Sequence, residues 1–310
     1  MPPPPQHAPP ALSVVVTIVD GGTALERCLA ALAAQEGAGA LEVLVPWDAT
    51  FDPGDLPRRF PAVTFLALGP LTTRRPSSTP AGQHELFDRR RSAGLAAARG
   101  ALVAIVEDRS VPRRDWAATA IALHARLPHG VIGGAIENAV DAPLNWAVYF
   151  CDFGRYQPPF AGGPRAWVSD VNVCYKRKAL EQTRSVWAER YHETAVHWAL
   201  RRAGEVLWLA PEMVVAQHRD GLALGALLRE RVAWGRLFGF TRARGTGLLA
   251  RLGYLAMTPV LPLILFGRLL RLQLPRPATL GRFLCVSPVV LLLLAAWCAG
   301  EALGYATGES

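Results

Sequence analysis

The apolar positions of this chain change their spacing several times, and each change marks an element. Residues 13–19 form a continuous β-branched run of strand length, residues 25–35 return Leu and Ala at helical spacing, and residues 41–45 are again a strand. Residues 63–68 predict a third strand, residues 84–98 a helix stopped by Gly100, and residues 102–106 a fourth strand, apolar on both faces. A helix over 116–127 and a fifth strand over 131–136 continue the series. Alternation of this kind implies an α/β fold: a Rossmann-like, mostly parallel sheet flanked by helices.

The simple alternation weakens beyond Pro143. An aromatic segment from Trp146 to Tyr156 precedes a Gly/Pro loop over 158–164. Residues 194–203 are helical, with Gly204 where a C′ glycine belongs. Short strands over 206–209 and 213–217 lead to a basic amphipathic helix over 222–240. Residues 69–83, rich in Pro, Ser and Thr, read as a mobile loop. Six prolines within the first ten residues predict an extended, poorly ordered tail. Two apolar runs come last. Residues 248–270 are interrupted by Arg251, Arg268, Pro259 and Pro262, whereas 283–300 carry no charge and are long enough to span a bilayer, with Pro288 inside. The expected organisation is a tail (1–11), a catalytic domain (12–245) and membrane-associated helices (246–310).

Charge changes this picture in one region. The net charge is +8, yet residues 229–282 alone hold ten arginines against the single acid Glu230, so the remainder is close to neutral. These arginines flank apolar runs, which suits an anionic membrane surface rather than nucleic acid. The five cysteines are scattered, with no CxxC pair and no His at metal spacing, which argues against a disulfide framework or a zinc site. The apolar run over 11–19 follows no basic segment and is too short for a secretion signal, so the main domain is expected in the cytoplasm.

In a parallel α/β sheet, ligands bind beyond the carboxyl ends of the strands. The residues there are Asp20-Gly21-Gly22, Trp47-Asp48-Ala49-Thr50 and Glu107-Asp108-Arg109. Two carboxylates directly after a buried strand need solvent, a cation or a positive partner, although Asp at a strand end is also a common turn residue. Thr17-Ile-Val-Asp20, Asp48-Ala49-Thr50, Arg91-Ser92-Ala93-Gly94 through Gly100, and Glu107-Asp108-Arg109 with Pro112 and Trp116 occur in the order and spacing of the inverting glycosyltransferases of family 2. The chain resembles a membrane-bound bacterial branch of that family, over roughly residues 12–240.

The resemblance implies a GT-A fold, a catalytic domain facing the cytoplasm at the cytoplasmic membrane, and transfer of one sugar from a nucleotide-diphospho-sugar (UDP-, GDP- or dTDP-linked) to a lipid-linked or cell-envelope glycan acceptor. Donor contacts fall on Thr17, Asp20, Asp48, Arg91, Glu107, Asp108 and Arg109; for Arg91, the run Arg89-Arg90-Arg91 equally fits a solvated helix face. Glu107, Asp108 and His218 are the expected ligands of Mg2+ or Mn2+, although Arg109 stands where the family has its last metal-binding Asp. Glu193 is similar to the helix-opening general base, a position the helix macrodipole alone would favour, and Asp170 is the runner-up. Asn172 and Trp234 lie on the acceptor side. Glu230-Arg-Val-Ala233-Trp234 lacks the Gln and Arg of processive synthases, which favours single transfer. The competing expectation is a catalytically silent, nucleotide- or partner-binding scaffold of the same fold, whereas a Rossmann dehydrogenase is disfavoured because Asp20-Gly-Gly-Thr23 is not its glycine fingerprint. For the membrane region, the basic flanks of 248–270 predict an in-plane or re-entrant segment, and 283–300 a single crossing whose tail, holding Glu301 and Glu309, emerges on the far side.

Overall fold

The computed structural model describes residues 9–308, so most of the proline-rich tail, and Glu309, lie outside the described residues. The elements run β1 (Leu12–Thr17), α1 (Gly22–Ala33), β2 (Leu41–Trp47), α2 (Leu56–Arg59), β3 (Val63–Ala67), α3 (Pro80–Ala97), β4 (Leu102–Glu107), β5 (Ser110–Pro112), α4 (Trp116–Arg126), β6 (Val131–Asn138) and α5 (Pro143–Phe153). They continue through β7 (Gly163–Pro164), β8 (Asn172–Lys176), α6 (Arg177–Glu181), α7 (Arg184–Trp187), α8 (Glu193–Arg202), β9 (Leu207–Gln217), α9 (Leu224–Ala243), α10 (Leu248–Met257), α11 (Leu261–Gln273) and α12 (Pro277–Thr307).

The chain divides into two compact units. The first comprises residues up to Thr72, Leu86–Glu137 and Pro158–Gln217; the second comprises Thr73–Glu85, Asn138–Gln157 and the chain from His218 onward. Helix α9, which the sequence pattern groups with the catalytic domain, thus belongs with the C-terminal helices.

One nine-stranded mixed sheet, in the order β3-β2-β1-β4-β8-β6-β9-β5 with β7 on β9, organises the first unit. The first four strands of that order pair in parallel, as the βαβ pattern requires. Beyond β4 the pairing turns antiparallel: β8 lies against β4, and β6, the expected fifth strand of the alternation, pairs antiparallel with β8. All of β1 is buried, as a central strand covered on both faces should be. Pro46 is tolerated in β2 because it lies beyond the last residue pair with β1, where no ladder bond is lost. Helix α3 approaches the sheet at Gly94, where any Cβ would run into Val15 and the Pro46 ring.

Two local expectations are corrected. The loop over 69–83 ends earlier, because α3 begins at Pro80 and the Thr79 hydroxyl accepts the Gly82 N–H at 3.2 Å as a cap. The two strands over 206–217 are one, β9; its first part pairs with β7 and its last part with β5, so Pro211 interrupts neither ladder.

In the second unit α12 is shared between two partners. Its first part packs on α5, with Phe150 edge-on to Phe283, and its second part packs on α9. The α9 contact is close because Gly235 and Gly239 face the α12 backbone at Trp297 and Glu301, and Gly300 and Gly304 face the α9 backbone. This is the small-xxx-small arrangement that brings helix backbones together. Between α9 and α5, buried Arg231 forms a two-pronged pair with Asp152. Among the described residues, α12 alone is a single helix long and apolar enough to cross a membrane, and 39% of its apolar window is buried within the protein. The run over 248–270 is two helices, α10 and α11, bent by 67°. Exposed large apolar side chains concentrate on these three helices, among them Leu249, Leu252, Leu263 and Leu284.

Candidate active site

Thr17 and Glu107 end β1 and β4 and are partners in the parallel register, so two of the expected donor residues are neighbours by strand pairing alone. Asp108, one residue on, is buried and turns its Oδ2 into the β1–α1 turn. There it accepts the backbone N–H groups of Val19, Asp20 and Gly21 at 3.0, 3.0 and 2.7 Å. Gly21 can present its N–H so because its φ of 69° is open to glycine alone without strain. Burial pushes the Asp108 carboxyl up to about 6, against the pull of the turn N–H donors. Its main visible work is to hold the turn between β1 and α1.

Arg91 is the hub of the site. It is buried rather than on a solvated face, and four groups converge on it: Nε donates to Thr17 Oγ1 at 3.1 Å, and carboxylate oxygens of Glu107, Asp170 and Asp88 lie at 2.9, 3.0 and 3.5 Å. Desolvation disfavours its charge but Asp170, Glu107 and Asp88 outweigh it, so Arg91 stays a cation. Glu107, half-buried and beside Asp170, is raised to about 7, chiefly by desolvation, despite Arg91. Arg90, the preceding residue, is buried too. It donates to Asp48 Oδ1, Thr50 Oγ1 and the Ile18 carbonyl at 2.8, 2.8 and 3.0 Å. Burial works to raise the Asp48 carboxyl, but Arg90 and Thr50 hold it below the usual range, and its Oδ2 is buried without a hydrogen-bond partner. Arg109 forms a two-pronged pair with exposed Asp20, at 2.7 and 2.6 Å.

Asp170 carries the cluster onward, since its backbone N–H donates to Glu193 Oε2 at 3.2 Å. Glu193 opens α8, its side chain 27% exposed, and burial followed by the Asp170 charge raises its carboxyl well above the usual range. Glu107, Arg91, Asp170 and Glu193 therefore form one continuous chain of contacts. Asn172, expected to face an acceptor, is fully buried: its oxygen accepts from Trp116 Nε1 and its amide donates to the Ala135 and Met213 carbonyls, all at 2.9 Å. It cross-links helix α4 to the strands around β8. His218 and Trp234 belong to the second unit. His218 is half-buried just after β9, and Trp234 lies under the Arg231 guanidinium at 5.5 Å and edge-on to His84.

Asp88, Arg90, His197 and the Tyr175–Tyr191 pair also join this cluster, and the sequence pattern did not single them out. The i,i+3 spacing of Asp88 and Arg91 was the available signal.

A chelated divalent cation would need free carboxylate oxygens converging at the end of β4. Asp108 Oδ1 is buried and unpartnered, but Oδ2 is taken by three N–H donors, Glu107 is paired with Arg91, and Arg109 replaces the last carboxylate. Among the described residues no group of three or more His, Cys, Asp and Glu side chains is arranged to hold a metal ion. The side chains as they stand do not fit such a group.

No family model and no curated protein matches the sequence. Among solved structures, the chain is similar to the mannosyltransferase PcManGT of Pyrobaculum calidifontis, in complex with GDP-Man and Mn2+. The TM-score is 0.56 at 18% identity, over 96% of this chain and 88% of that one. It also aligns with S. aureus TarS 1–349 at a TM-score of 0.48 and 13% identity, over 96% of this chain and 92% of the other. With its parallel half-sheet and its antiparallel extension, this chain has the GT-A type fold that it shares with that mannosyltransferase.

Proposed function

We propose that this chain is an inverting glycosyltransferase that moves one sugar from a nucleotide-diphospho-sugar to a lipid-linked or envelope glycan hydroxyl at a membrane surface. The observation that carries the reading is the contact chain Glu107–Arg91–Asp170–Glu193, which links the end of β4 to a half-buried carboxylate with a raised pKa. In the reaction, the acceptor oxygen attacks the anomeric carbon as the bond to the diphosphate oxygen breaks. Glu193 takes the acceptor proton, a role suited to a carboxylate whose proton affinity is raised by burial and by the Asp170 charge. The nucleoside diphosphate departs with the bonding pair, and Arg109 supplies positive charge beside it once freed from Asp20. The unpartnered Oδ2 of Asp48 is the acceptor for a nucleoside N–H. Attachment to the membrane uses the exposed apolar side chains of α10, α11 and α12 with the arginines that flank them.

A second reading, a silent nucleotide- or partner-binding scaffold, draws on one observation: Asp20, Glu107 and Arg109 all already have ion-pair partners. A donor screen with UDP-, GDP- and dTDP-sugars, on protein in detergent with and without Mn2+ or Mg2+, separates the two. Glu193→Gln should lower kcat by about two to four orders of magnitude while donor affinity stays nearly intact. Binding without turnover for every donor would favour the scaffold, and collapse of donor affinity in Glu193→Gln would make Asp170 the base instead.

A further inference from the structure

A second line of buried polar groups reaches Glu193 from inside the first unit. His197, one helical turn after Glu193 on α8, is completely buried. Its Nε2 lies 2.8 Å from the Tyr175 hydroxyl, which lies 2.5 Å from the Tyr191 hydroxyl; both tyrosines are fully buried. Its Nδ1 has no hydrogen-bond partner, and Glu193 Oε1 is 3.9 Å away. Burial lowers the His197 pKa to about 4, so the ring is neutral near pH 7 and carries a single N–H. Burial also keeps both tyrosines protonated.

Only two proton arrangements satisfy this line. If Tyr191 donates to Tyr175 and Tyr175 donates to Nε2, the imidazole proton is on Nδ1 and faces Glu193. In the reverse order Nδ1 is a lone pair facing Oε1, which an ionised Glu193 disfavours because two acceptors then oppose each other. The charged and titratable groups around Glu193 are Asp170 and Arg91, with His192 just before it on the chain. Asp170 opposes ionisation and Arg91 favours it, so a neutral N–H donor adds to Arg91 without adding charge.

Building on the reading of Glu193 as the base, we propose that His197 is its positioning residue. The Tyr191–Tyr175 pair sets the imidazole tautomer, and Nδ1–H closes onto Oε1 when Glu193 is ionised, orienting the other oxygen toward the acceptor hydroxyl. Once Glu193 has taken the acceptor proton, that hydrogen bond relaxes. His197 touches neither donor nor acceptor; it acts through Glu193.

The test uses the full chain in detergent. Nitrogen-15 spectra of labelled histidine, with the His197 signals identified by their loss in His197→Asn, read the tautomer directly. The expected result is Nδ1–H in the native chain and a mixture of the two tautomers in Tyr175→Phe, where the donor that fixes Nε2 as the acceptor is gone. The pH profile of kcat reads the consequence: in Tyr175→Phe and His197→Gln the acid limb should move up by about one unit, a roughly tenfold loss below it, with donor KM unchanged. His197→Asn keeps an amide N–H at the Nδ1 position and should return the limb toward its native pH, whereas a merely structural role would lower His197→Asn and His197→Gln alike without moving it. Nε2–H in the native chain, or an unmoved limb in Tyr175→Phe, overturns the His197 role while leaving Glu193 in place. Full turnover in Glu193→Gln removes the base reading and this role with it.

Discussion

Arg91→Met tests whether the buried cluster is held by one cation. Methionine retains the unbranched apolar stem and removes the guanidinium, leaving Glu107, Asp170 and Asp88, at 2.9, 3.0 and 3.5 Å from it, without their shared partner. Deleting one member of a buried ion pair costs ~3–5 kcal/mol, because the other charge stays buried. Three carboxylates share this cation, but each can take up a proton, so the loss at pH 8 should fall within that range rather than triple it. The pH dependence has a definite sign. Without Arg91 the folded-state pKa values of these carboxylates rise above unfolded values of about 4. The folded form then holds protons that the unfolded chain releases, and stability falls as pH rises from about 4 toward the raised values. The penalty should therefore be ~4 kcal/mol at pH 8 and about half that at pH 5. Urea unfolding at constant ionic strength, followed by tryptophan fluorescence, measures it, since Trp116 and Trp187 are fully buried in the same unit. Arg91→Lys should recover part of the loss, as a point charge cannot serve all four partners. A penalty below ~1 kcal/mol at pH 8, or one equal at both pH values, would refute the reasoning.

Two further expectations concern stability. His124 is buried with Nε2 on the Cys174 carbonyl at 3.1 Å, and burial lowers its pKa from 6.5 to about 4, so it stays neutral in the fold while the unfolded chain charges. Its contribution is intact above pH 6.5 and lost as pH falls toward 4, up to ~3 kcal/mol; His124→Gln should flatten unfolding free energy against pH across that window, and an unchanged slope would remove His124 from the account. On α12, a Cβ at Gly300 would collide with the Val232 backbone of α9, whereas Gly281 has open space around it. Gly300→Val should destabilise the detergent-solubilised protein by about 1–3 kcal/mol or more and Gly281→Ala should leave the thermal midpoint nearly unchanged; equal behaviour of the two would refute the close α9–α12 contact.

The α/β alternation was legible in the sequence because the period of apolar residues belongs to contiguous stretches, and a fully buried apolar run such as Val103–Val106 has few local alternatives. The strand-end acids could be listed for the same reason, as could the opening of α8 at Glu193. What the sequence left undecided is how residues distant along the chain meet. Arg89-Arg90-Arg91 reads as a charged run suited to solvent, and only Asp48, Glu107 and Asp170, from other parts of the first unit, make Arg90 and Arg91 interior cations. Insertion of β8 antiparallel to β4 is a pairing choice that apolar spacing does not encode, yet Asp170, just before β8, bonds both Arg91 and Glu193. Asn172 shows the opposite outcome: a polar residue expected to face an acceptor is a buried cross-link, because Trp116 and two carbonyls surround it. The sequence by itself thus determined which elements form, since local periodicity sets them. Which charges are paired, which carboxylate is raised and which histidine faces it were decided by tertiary structure, because ion pairing and desolvation depend on distances between groups that only the folded chain brings together.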